Sequence, residues 1–482
     1  MDNAPIIDKL LQLNRQNMVS FHVPGHKNGR IYNKFPYKNF KDILYKLDTT
    51  EIPGTDNLHN AREIIEKSQQ KASEAFGSEE TFFLVNGSTS GIYSMIMSAT
   101  SPGDKILVDR NCHQAVINAC ILGDLVPIYV YPNMDEKRGI AMGILPDDVE
   151  KQLARHSGIG AVLLTYPNYH GVASNLKKIE EIVHKYDKIL LIDEAHGAHL
   201  GLSEDLPPSA LSCGVDAVVQ STHKTLLSFT QSSMLHIQGD RIDRDRLKFM
   251  LRIHQSSSPS YLLLVSLDFA VMVYRTEGRN LMESLFENIK NFKQRIKDID
   301  GIDVMGEEMI GNKGVESIDI TRMCIGLEGI TGYELERRLR KDFNIQMELS
   351  NRYGVLGVTS IANVGEDFDK LLEGLSIISE ETGVSRAKLS GNLPENFTFR
   401  KVEQIFTPRE ALYKNKRKIL FRKSQGFISG EYIISYPPGV PLIIPGEKIN
   451  AEVMLQVMDI IDNGGGILGL NDGNCKWIEI IT

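Results

Sequence analysis

Two polar side chains, Asp193 and Lys224, have the types and spacing that amine–carbonyl chemistry requires. Asp193 directly follows the apolar run 188–192, and Lys224 follows the next apolar run, 217–219. A carboxylate at the end of a buried strand can keep a pyridine nitrogen protonated, and a lysine amine can form a Schiff base with an aldehyde. Alone, Asp193 would be typical of a helix cap and Lys224 of a surface lysine. Together they predict an enzyme that uses pyridoxal phosphate (PLP).

A second group of residues could hold the phosphate of such a cofactor. The run 86–91 follows an apolar strand and opens a helix, where backbone N–H groups and hydroxyls favour an anion. An ordinary helix cap with a turn glycine explains this run equally well. Its spacing differs from the dinucleotide and Walker patterns, which argues against NAD and ATP. The expected cofactor contacts here and beside Lys224 are Gly87, Ser88, Thr89, Ser90, Ser221 and His223.

Three further residues are expected beside the cofactor ring. His113 follows the strand 105–108 and could stack on one ring face, while helix capping by Asn111 explains the local sequence equally well. Ala195 is small enough to lie against the ring, and His196 follows it. His196 and His199 have a spacing that could suggest a metal site, but no second ligand cluster accompanies them, so no metal is predicted.

The composition limits the class of protein. The net charge is −8, from 54 basic and 62 acidic residues, which argues against nucleic acid as a partner. Five scattered cysteines without a CxxC pair indicate neither a disulfide framework nor a zinc site. The sequence has neither a signal peptide pattern nor an apolar run long enough to span a membrane. We therefore expect a cytoplasmic protein.

The elements that must position these residues belong to a mostly parallel sheet. Between residues 80 and 240, short apolar runs alternate with helix-length segments, which is typical of an α/β sheet covered on both faces. Ligands of such sheets bind beyond the carboxyl ends of the strands, where the polar residues named above lie. Residues 262–300 predict one long amphipathic helix. Residues 301–380 predict a small α+β domain, and a polar linker is expected near 385–396.

Several motifs resemble those of one known family. The chain is similar to the group I ornithine/lysine/arginine decarboxylases, PLP enzymes of the aspartate-aminotransferase fold (fold type I). The similarity covers nearly the whole length, and the first and last motifs are the most specific. The matching runs are 21–29, 50–59, 193–199, 221–226, 255–262, 436–441 and 445–447.

The resemblance implies an α/β large domain with a mostly parallel seven-stranded sheet, followed by small α+β C-terminal domains. The implied boundaries are an N-terminal arm at 1–60, a PLP-binding domain at 61–280, a small domain at 281–385 and a C-terminal decarboxylase domain at 386–482. It also implies Lys224 as the Schiff-base lysine, Asp193 as the partner of the ring nitrogen and His113 as the stacking residue. The catalytic residues would thus be these three.

The resemblance further implies an active site at a dimer interface, where Ser257 or Ser258 could reach the neighbour's phosphate. The chain looks like the short form without the receiver-like N-terminal wing, for which a homodimer or tetramer is expected. Two segments, 54–59 and 166–171, depart from the common family pattern near the place where substrate would bind.

The implied activity is α-decarboxylation of a basic amino acid, lysine, arginine or ornithine, in polyamine metabolism. Glu51 and Asp56 could bind the distal cation or could equally be solvated turn residues. Another PLP reaction, by an aminotransferase or an α-oxoamine synthase, is a rival, and Arg352 could then hold the substrate carboxylate. A non-catalytic PLP-binding regulator is a second rival.

Overall fold

The computed structural model describes residues 4–35, 42–382, 402–436, 439–462, 465–472 and 475–482. The expected linker 385–396 and Pro437 and Pro438 lie outside these residues. The helices are α1 (Pro5–Asn14), α2 (Leu44–Leu47), α3 (Ile64–Phe76), α4 (Gly87–Ala99), α5 (Gln114–Gly123), α6 (Pro146–Arg155), α7 (Leu176–Lys185), α8 (Thr222–Thr225), α9 (Arg244–His254), α10 (Tyr261–Thr276), α11 (Gly278–Arg295), α12 (Gly332–Phe343), α13 (Gly365–Thr382), α14 (Pro408–Tyr413) and α15 (Ala451–Asp462).

The strands lie between and after these helices. They are β1 (Val19–Phe21), β2 (Glu80–Leu84), β3 (Lys105–Asp109), β4 (Val126–Val130), β5 (Met134–Asp135), β6 (Ile140–Ala141), β7 (Ile159–Thr165), β8 (Val172–Ala173), β9 (Ile189–Asp193), β10 (Ala217–Gln220), β11 (Ser233–Ile237), β12 (Ile302–Val304), β13 (Ser317–Ile318), β14 (Arg322–Leu327), β15 (Ile345–Met347), β16 (Leu349–Ser350), β17 (Val355–Val358), β18 (Lys416–Leu420), β19 (Ile433–Tyr436), β20 (Val440–Ile443), β21 (Gly466–Leu468) and β22 (Trp477–Ile481).

A seven-stranded sheet forms the centre of the large unit, with the order β2-β11-β10-β9-β7-β3-β4. β10, β9, β7, β3 and β4 pair in parallel, and β11 pairs antiparallel with both β10 and β2. Successive residues of one strand enter opposite cores: Leu190 and Ile192 pack in one core and Leu191 in the other. Burial on both faces explains why these strands are continuous apolar runs rather than alternating ones. The predicted fold class is confirmed.

A four-stranded sheet of order β12-β14-β17-β16 forms the centre of the next unit. The N-terminal segment is attached to this unit, because β1 pairs in parallel with β15. Arg30 strengthens the attachment with hydrogen bonds of 2.7 and 3.1 Å to the two carboxylate oxygens of Asp367. The N-terminal segment is therefore bound to the small unit, although it precedes the large unit in the chain.

The prediction of one long helix over 262–300 is wrong, because the structure has two helices there. Two helices, α10 and α11, occupy this range and are interrupted at Glu277, whose backbone leaves the helical conformation. Gly278 follows the break, and a Cβ atom there would lie 2.6 Å from Cδ2 of Leu202. The close packing of this glycine against Leu202, which no sequence periodicity reports, accompanies the break between the two helices.

The C-terminal unit, residues 402–482 as far as they are described, has a separate apolar core that includes Phe421, Ile433, Ile478 and Ile480. β18 pairs with β22, and β20, β19 and β21 form a small antiparallel sheet. The unit contacts the large unit through helices α14 and α5. Within the described ranges, no helix is long and apolar enough to cross a membrane.

Candidate active site

Lys224 and Asp193 lie at the carboxyl ends of neighbouring strands. Asp193 ends β9 and is paired with Val219 of β10, and Lys224 lies in α8, which begins directly after β10. The Lys224 Nζ atom is 2.9 Å from Nε2 of His196. Burial lowers the pKa of Lys224, and the negative charge of Asp193 opposes this effect. A lysine amine with a lowered pKa is more often neutral, and a neutral amine is a nucleophile.

The carboxylate of Asp193 is buried, with an exposed fraction of 3%. One of its oxygens accepts the N–H of Ala195 at 3.1 Å. Burial raises the pKa of Asp193 above its ordinary value, and the positive charge of Lys224 acts in the opposite direction. Because an anion in this position lacks hydration, it favours a cation as its partner. Ala195 also lies in this turn and is almost fully buried.

A cluster of hydroxyl groups lies where α4 begins. Ser88 Oγ is 2.5 Å from Ser221 Oγ and 3.1 Å from Ser233 Oγ, and all three residues are buried. Gly87 has a φ of 71°, a conformation that favours glycine, and so turns the chain from β2 into α4. The structure thus brings Ser88 and Ser221, which are far apart in sequence, to one point at a helix N-terminus.

The other residues expected near the phosphate have distinct surroundings. Ser90 Oγ donates to the carbonyl of Gly87 at 2.9 Å, so this hydroxyl is used in the first turn of α4, and Thr89 is exposed. His223 donates from Nδ1 to the carbonyl of Ser232 at 2.8 Å. Burial lowers the pKa of His223 to about 4, which makes its imidazole neutral.

His113 is the residue immediately before α5 and caps this helix. Its Nδ1 accepts the N–H of Ala115 at 3.2 Å, so the proton of the neutral ring is on Nε2. Burial, together with the positive charge of Lys224, lowers the pKa of His113 to about 4. The same two causes hold the pKa of His196 well below its ordinary value. Two neutral imidazole rings therefore lie close to the lysine amine.

This set of residues fits pyridoxal phosphate. Lys224 offers an amine for its aldehyde, Asp193 an anion for its pyridine nitrogen, and the hydroxyl cluster at α4 offers donors for its phosphate. Within the described residues, the buried Oγ1 of Thr222 and Nδ1 of His196 have no hydrogen-bond partner. Since buried polar atoms are nearly always paired, such atoms beside Lys224 indicate that a polar ligand belongs there.

Glu348 is a residue near the site that the sequence did not single out. It interrupts the strand expected over 345–349, since β15 ends before it and β16 begins after it. Its carboxylate accepts the N–H of Val23 at 2.8 Å and the O–H of Tyr169 at 2.5 Å. Its partner Tyr169 contacts His196, which is next to Lys224, and its negative charge raises the pKa of Lys224. In the sequence, the only sign of this position was an acidic residue within 345–349, where apolar and polar residues alternate.

Two other side chains support the turn that carries His196. The ring of Tyr169 meets that of His196 edge-on, with 4.4 Å between the centroids. Arg322, whose side chain is fully buried, donates from Nη2 to the carbonyl of His196 at 2.7 Å. The Nε2 atom of His199 is 3.1 Å from a carboxylate oxygen of Asp319, so this ring is paired with the small unit. Arg322 and Asp319 come from the small unit, which explains why no local pattern connects them with this turn.

The structure favours the structural role for Asp56. Its carboxylate accepts the backbone N–H groups of four residues, which caps the chain at the start of α3. Glu51 is hydrogen-bonded to its neighbour Thr50. Arg352, the candidate ligand for a transaminase substrate, forms an ion pair with Asp459. None of these three contacts joins the residue to Lys224.

The fold and the positions of these side chains define the class as a fold-type I PLP enzyme. Residues 4–321 match the family model described as Orn/Lys/Arg decarboxylase, major domain, and residues 393–464 match its C-terminal domain. The chain therefore belongs to the Orn/Lys/Arg decarboxylase family. It is a PLP-dependent amino-acid decarboxylase, and basic amino acids are its substrate class.

The similarity to individual relatives extends over nearly the whole chain. The arginine decarboxylase of Bacillus subtilis (strain 168) is 35% identical over 99% of this chain and 98% of that protein. Lysine decarboxylase LdcA of Pseudomonas aeruginosa is 23% identical over 95% of this chain and 75% of its own length. In structure, the Francisella novicida lysine decarboxylase LdcF has a TM-score of 0.77 at 22% identity, covering 95% of this chain and 78% of that one. The predicted family, cofactor and enzyme class are confirmed, and the rival PLP reactions and the non-catalytic regulator are set aside.

Proposed function

We propose that the protein decarboxylates arginine at its α-carbon, releasing agmatine and CO2 for polyamine metabolism. The observation that carries this proposal is the similarity over the whole length to the arginine decarboxylase of Bacillus subtilis, at 35% identity against 23% for LdcA. The second comparison also leaves a quarter of the LdcA sequence unmatched. Arginine is therefore favoured over lysine and ornithine.

Lys224 would hold the cofactor through its aldehyde, and Asp193 would face the pyridine nitrogen. When bound, pyridoxal phosphate supplies an electron-accepting ring for the electron pair that the departing CO2 leaves behind. Asp193 contributes the negative charge that keeps the ring nitrogen protonated. His196, neutral and 2.9 Å from the Lys224 amine, can accept a hydrogen bond from this amine and orient it.

The remaining expected contacts divide between the ring and the phosphate. His113 would present a flat, neutral ring to one face of the cofactor, with Ala195 and His196 near the other parts of the ring. The phosphate would bind at the start of α4, where backbone N–H groups point outward. The residues assigned to it are Gly87, Ser88, Thr89, Ser90, Ser221 and His223.

Glu348 is our candidate for the anion that attracts the substrate cation. It adds negative charge to the crevice of Lys224. Val23 and Tyr169 each donate to one of its two oxygens, so each oxygen retains a further acceptor position. A guanidinium group, with donors in a planar fork, can use two such positions together.

The test is analysis of the amines formed from arginine, lysine and ornithine by the purified protein with PLP. We expect agmatine from arginine to form with the largest kcat/KM of the three. A larger kcat/KM for cadaverine or putrescine formation would overturn the choice of arginine, and no amine from any of the three would overturn the proposal entirely. The matched control is the Lys224→Ala variant, which should release none of these amines above the uncatalysed background.

We also propose that the protein acts in the cytoplasm as a homodimer whose active site lies at the subunit interface. The exposed Ser257 and Ser258, next to the start of α10, are then available to a second subunit. No metal, nucleic acid or membrane takes part in this proposal.

A further inference from the structure

We propose that the C-terminal unit positions His113, through a buried contact between Arg110 and the segment 439–447. This inference rests on the proposed role of His113 beside the cofactor ring. It assigns a structural role to residues 439–441 and 445–447, which lie in motifs that the sequence shares with the decarboxylase family and that the chemistry above does not use.

The contact consists of one guanidinium group and three acceptors from the C-terminal unit. Arg110 donates from Nη1 to the carbonyl of Pro441 at 2.6 Å, and from Nη2 to the carbonyl of Leu442 at 3.1 Å. Its Nη2 also lies 2.9 Å from Oε2 of Glu447. Arg110 and Glu447 are exposed by only 2% and 1%. Such a buried, multidentate contact fixes the direction of the guanidinium group.

The segment 439–447 is itself shaped to receive the arginine. Oε2 of Glu447 accepts the N–H of Ile444 at 2.8 Å, so the carboxylate closes the turn that presents the acceptors. Burial disfavours the charged forms of both Arg110 and Glu447. The anion of Glu447 nevertheless raises the pKa of Arg110 above its ordinary value. Since each charge is buried with the other as its partner, removing one would leave the other uncompensated.

The contact is joined to His113 by a few residues of backbone. Arg110 follows the last residue of β3, and His113 is the cap of α5. The backbone N–H of Gln114, the first residue of α5, donates to the carbonyl of Gly439 at 3.3 Å. The ring of His113 is in turn oriented by the N–H of Ala115. Both sides of His113 in the chain are thus held by the C-terminal unit.

The C-terminal unit also contacts the far part of α5, which provides a comparison. Arg409 donates to the carbonyls of Ile121 and Leu122, and Tyr432 donates to Asn118. These contacts attach the unit to the same helix without touching the residues around His113. An effect specific to Arg110 and Glu447 would therefore separate positioning of the ring from mere attachment of the unit.

The experiment compares three variants of the full chain with bound PLP. Glu447→Gln removes the charge and keeps an acceptor. The double variant Arg110→Met/Glu447→Leu replaces the pair with apolar side chains and leaves no unpaired charge. Arg409→Met is the matched control at the other end of α5. For each variant we would measure the cofactor absorption spectrum, kcat and KM, and hydrogen exchange of peptides covering 110–123.

We expect the first two variants to show a shifted cofactor absorption band and faster exchange of the amides at 111–116. Their kcat should fall about tenfold or more, because small misplacements of an active-site group are costly, while KM changes less. Arg409→Met should accelerate exchange only near 118–123 and keep the spectrum and kcat of the parent.

Wild-type spectrum and exchange in Glu447→Gln and in the double variant would overturn the inference. An equal spectral change in Arg409→Met would overturn it too, since attachment alone would then suffice. The His113→Ala variant separates this inference from the proposed function. If His113→Ala keeps the parent spectrum and kcat, the role of His113 is wrong and the positioning inference falls with it. Should the parent form no amine, the spectrum and exchange would still decide the matter.

Discussion

At the scale of residues, the crevice around Lys224 contains neutral imidazoles and few cations. Burial lowers the pKa of His113, His196 and His223, so none of these three rings adds a positive charge beside the amine. The pKa of Lys224 itself is lowered for the same reason. The anions of Asp193 and Glu348 oppose this trend. The site therefore combines a nucleophilic amine with two nearby negative charges, those of Asp193 and Glu348.

The role of Asp193 can be tested by the substitution Asp193→Asn. Asparagine keeps an oxygen for the N–H of Ala195 but removes the charge that would keep the ring nitrogen protonated. We expect PLP to bind and kcat to fall about 10²- to 10³-fold, the size of effect seen when one preorganised electrostatic group is removed. The free energy of unfolding should not fall in the cofactor-free protein, because burial raises the pKa of this carboxylate. An unchanged kcat would contradict the assignment.

Sequence reasoning at this scale identified the residues of the large sheet but missed Glu348 and Arg322. Asp193, Ser221 and Lys224 directly follow apolar runs, so the sheet rule places them at one edge. Glu348 and Arg322 reach the same crevice from the small unit. Their positions depend on how two units pack, and no local periodicity encodes that packing.

At the scale of elements, the N-terminal segment supports the short helix α8. The backbone N–H of Gly25 donates to the carbonyl of His223 at 2.8 Å. A Cβ atom at Gly25 would lie 2.3 Å from the carbonyl oxygen of Leu226, so no larger residue fits without a backbone shift. The motif at 21–29 thus contacts the backbone around Lys224, in addition to forming part of the N-terminal arm.

Lys27 joins this segment to β17, and its contribution to stability should depend on pH. Its Nζ donates to the carbonyls of His22 and Val358 at 2.6 and 3.0 Å. Burial lowers its pKa to about 7 from 10.5, so the folded state binds fewer protons between these values than the unfolded state. Stability contributed by Lys27 is then smallest below pH 7 and rises with pH up to about 10.5.

We therefore expect the variant Lys27→Met to lose more stability, relative to the parent, at pH 9 than at pH 6. Urea unfolding at both pH values measures the difference. Lys178→Met, at an exposed position, is the control and should show no such dependence. An equal loss for Lys27→Met at both pH values would contradict the assigned burial of a neutral amine.

At the scale of the whole molecule, α1 presents an apolar surface to solvent. Ile6, Ile7 and Leu10 are exposed by 76%, 60% and 60% in the single chain. Contiguous exposed apolar side chains mark interaction sites. In the proposed homodimer, a second copy of the chain would bind to this surface of α1. The division into units at 1–60, 61–280, 281–385 and 386–482 stays a prediction.

The double variant Ile7→Glu/Leu10→Glu should weaken the dimer. We expect the parent to sediment as a dimer, and the variant to dissociate at a concentration at least about tenfold higher, because two charges would be buried at the interface. Leu455→Glu, an exposed leucine of α15, is the control and should leave the dimer intact. A variant that dissociates like the parent would exclude α1 from the interface.

The sequence by itself determined the cofactor chemistry, the mostly parallel sheet and the residues at its edge, because strand periodicity and the order of polar residues after strands are local properties. Only the tertiary structure decided the break between α10 and α11, the capping role of Asp56 and the approach of Glu348 and Arg322 to Lys224. It also decided the contact of Glu447 with Arg110. Each of these depends on contacts between residues that are not periodic neighbours in the chain, and such contacts are set by packing rather than by any pattern along the chain.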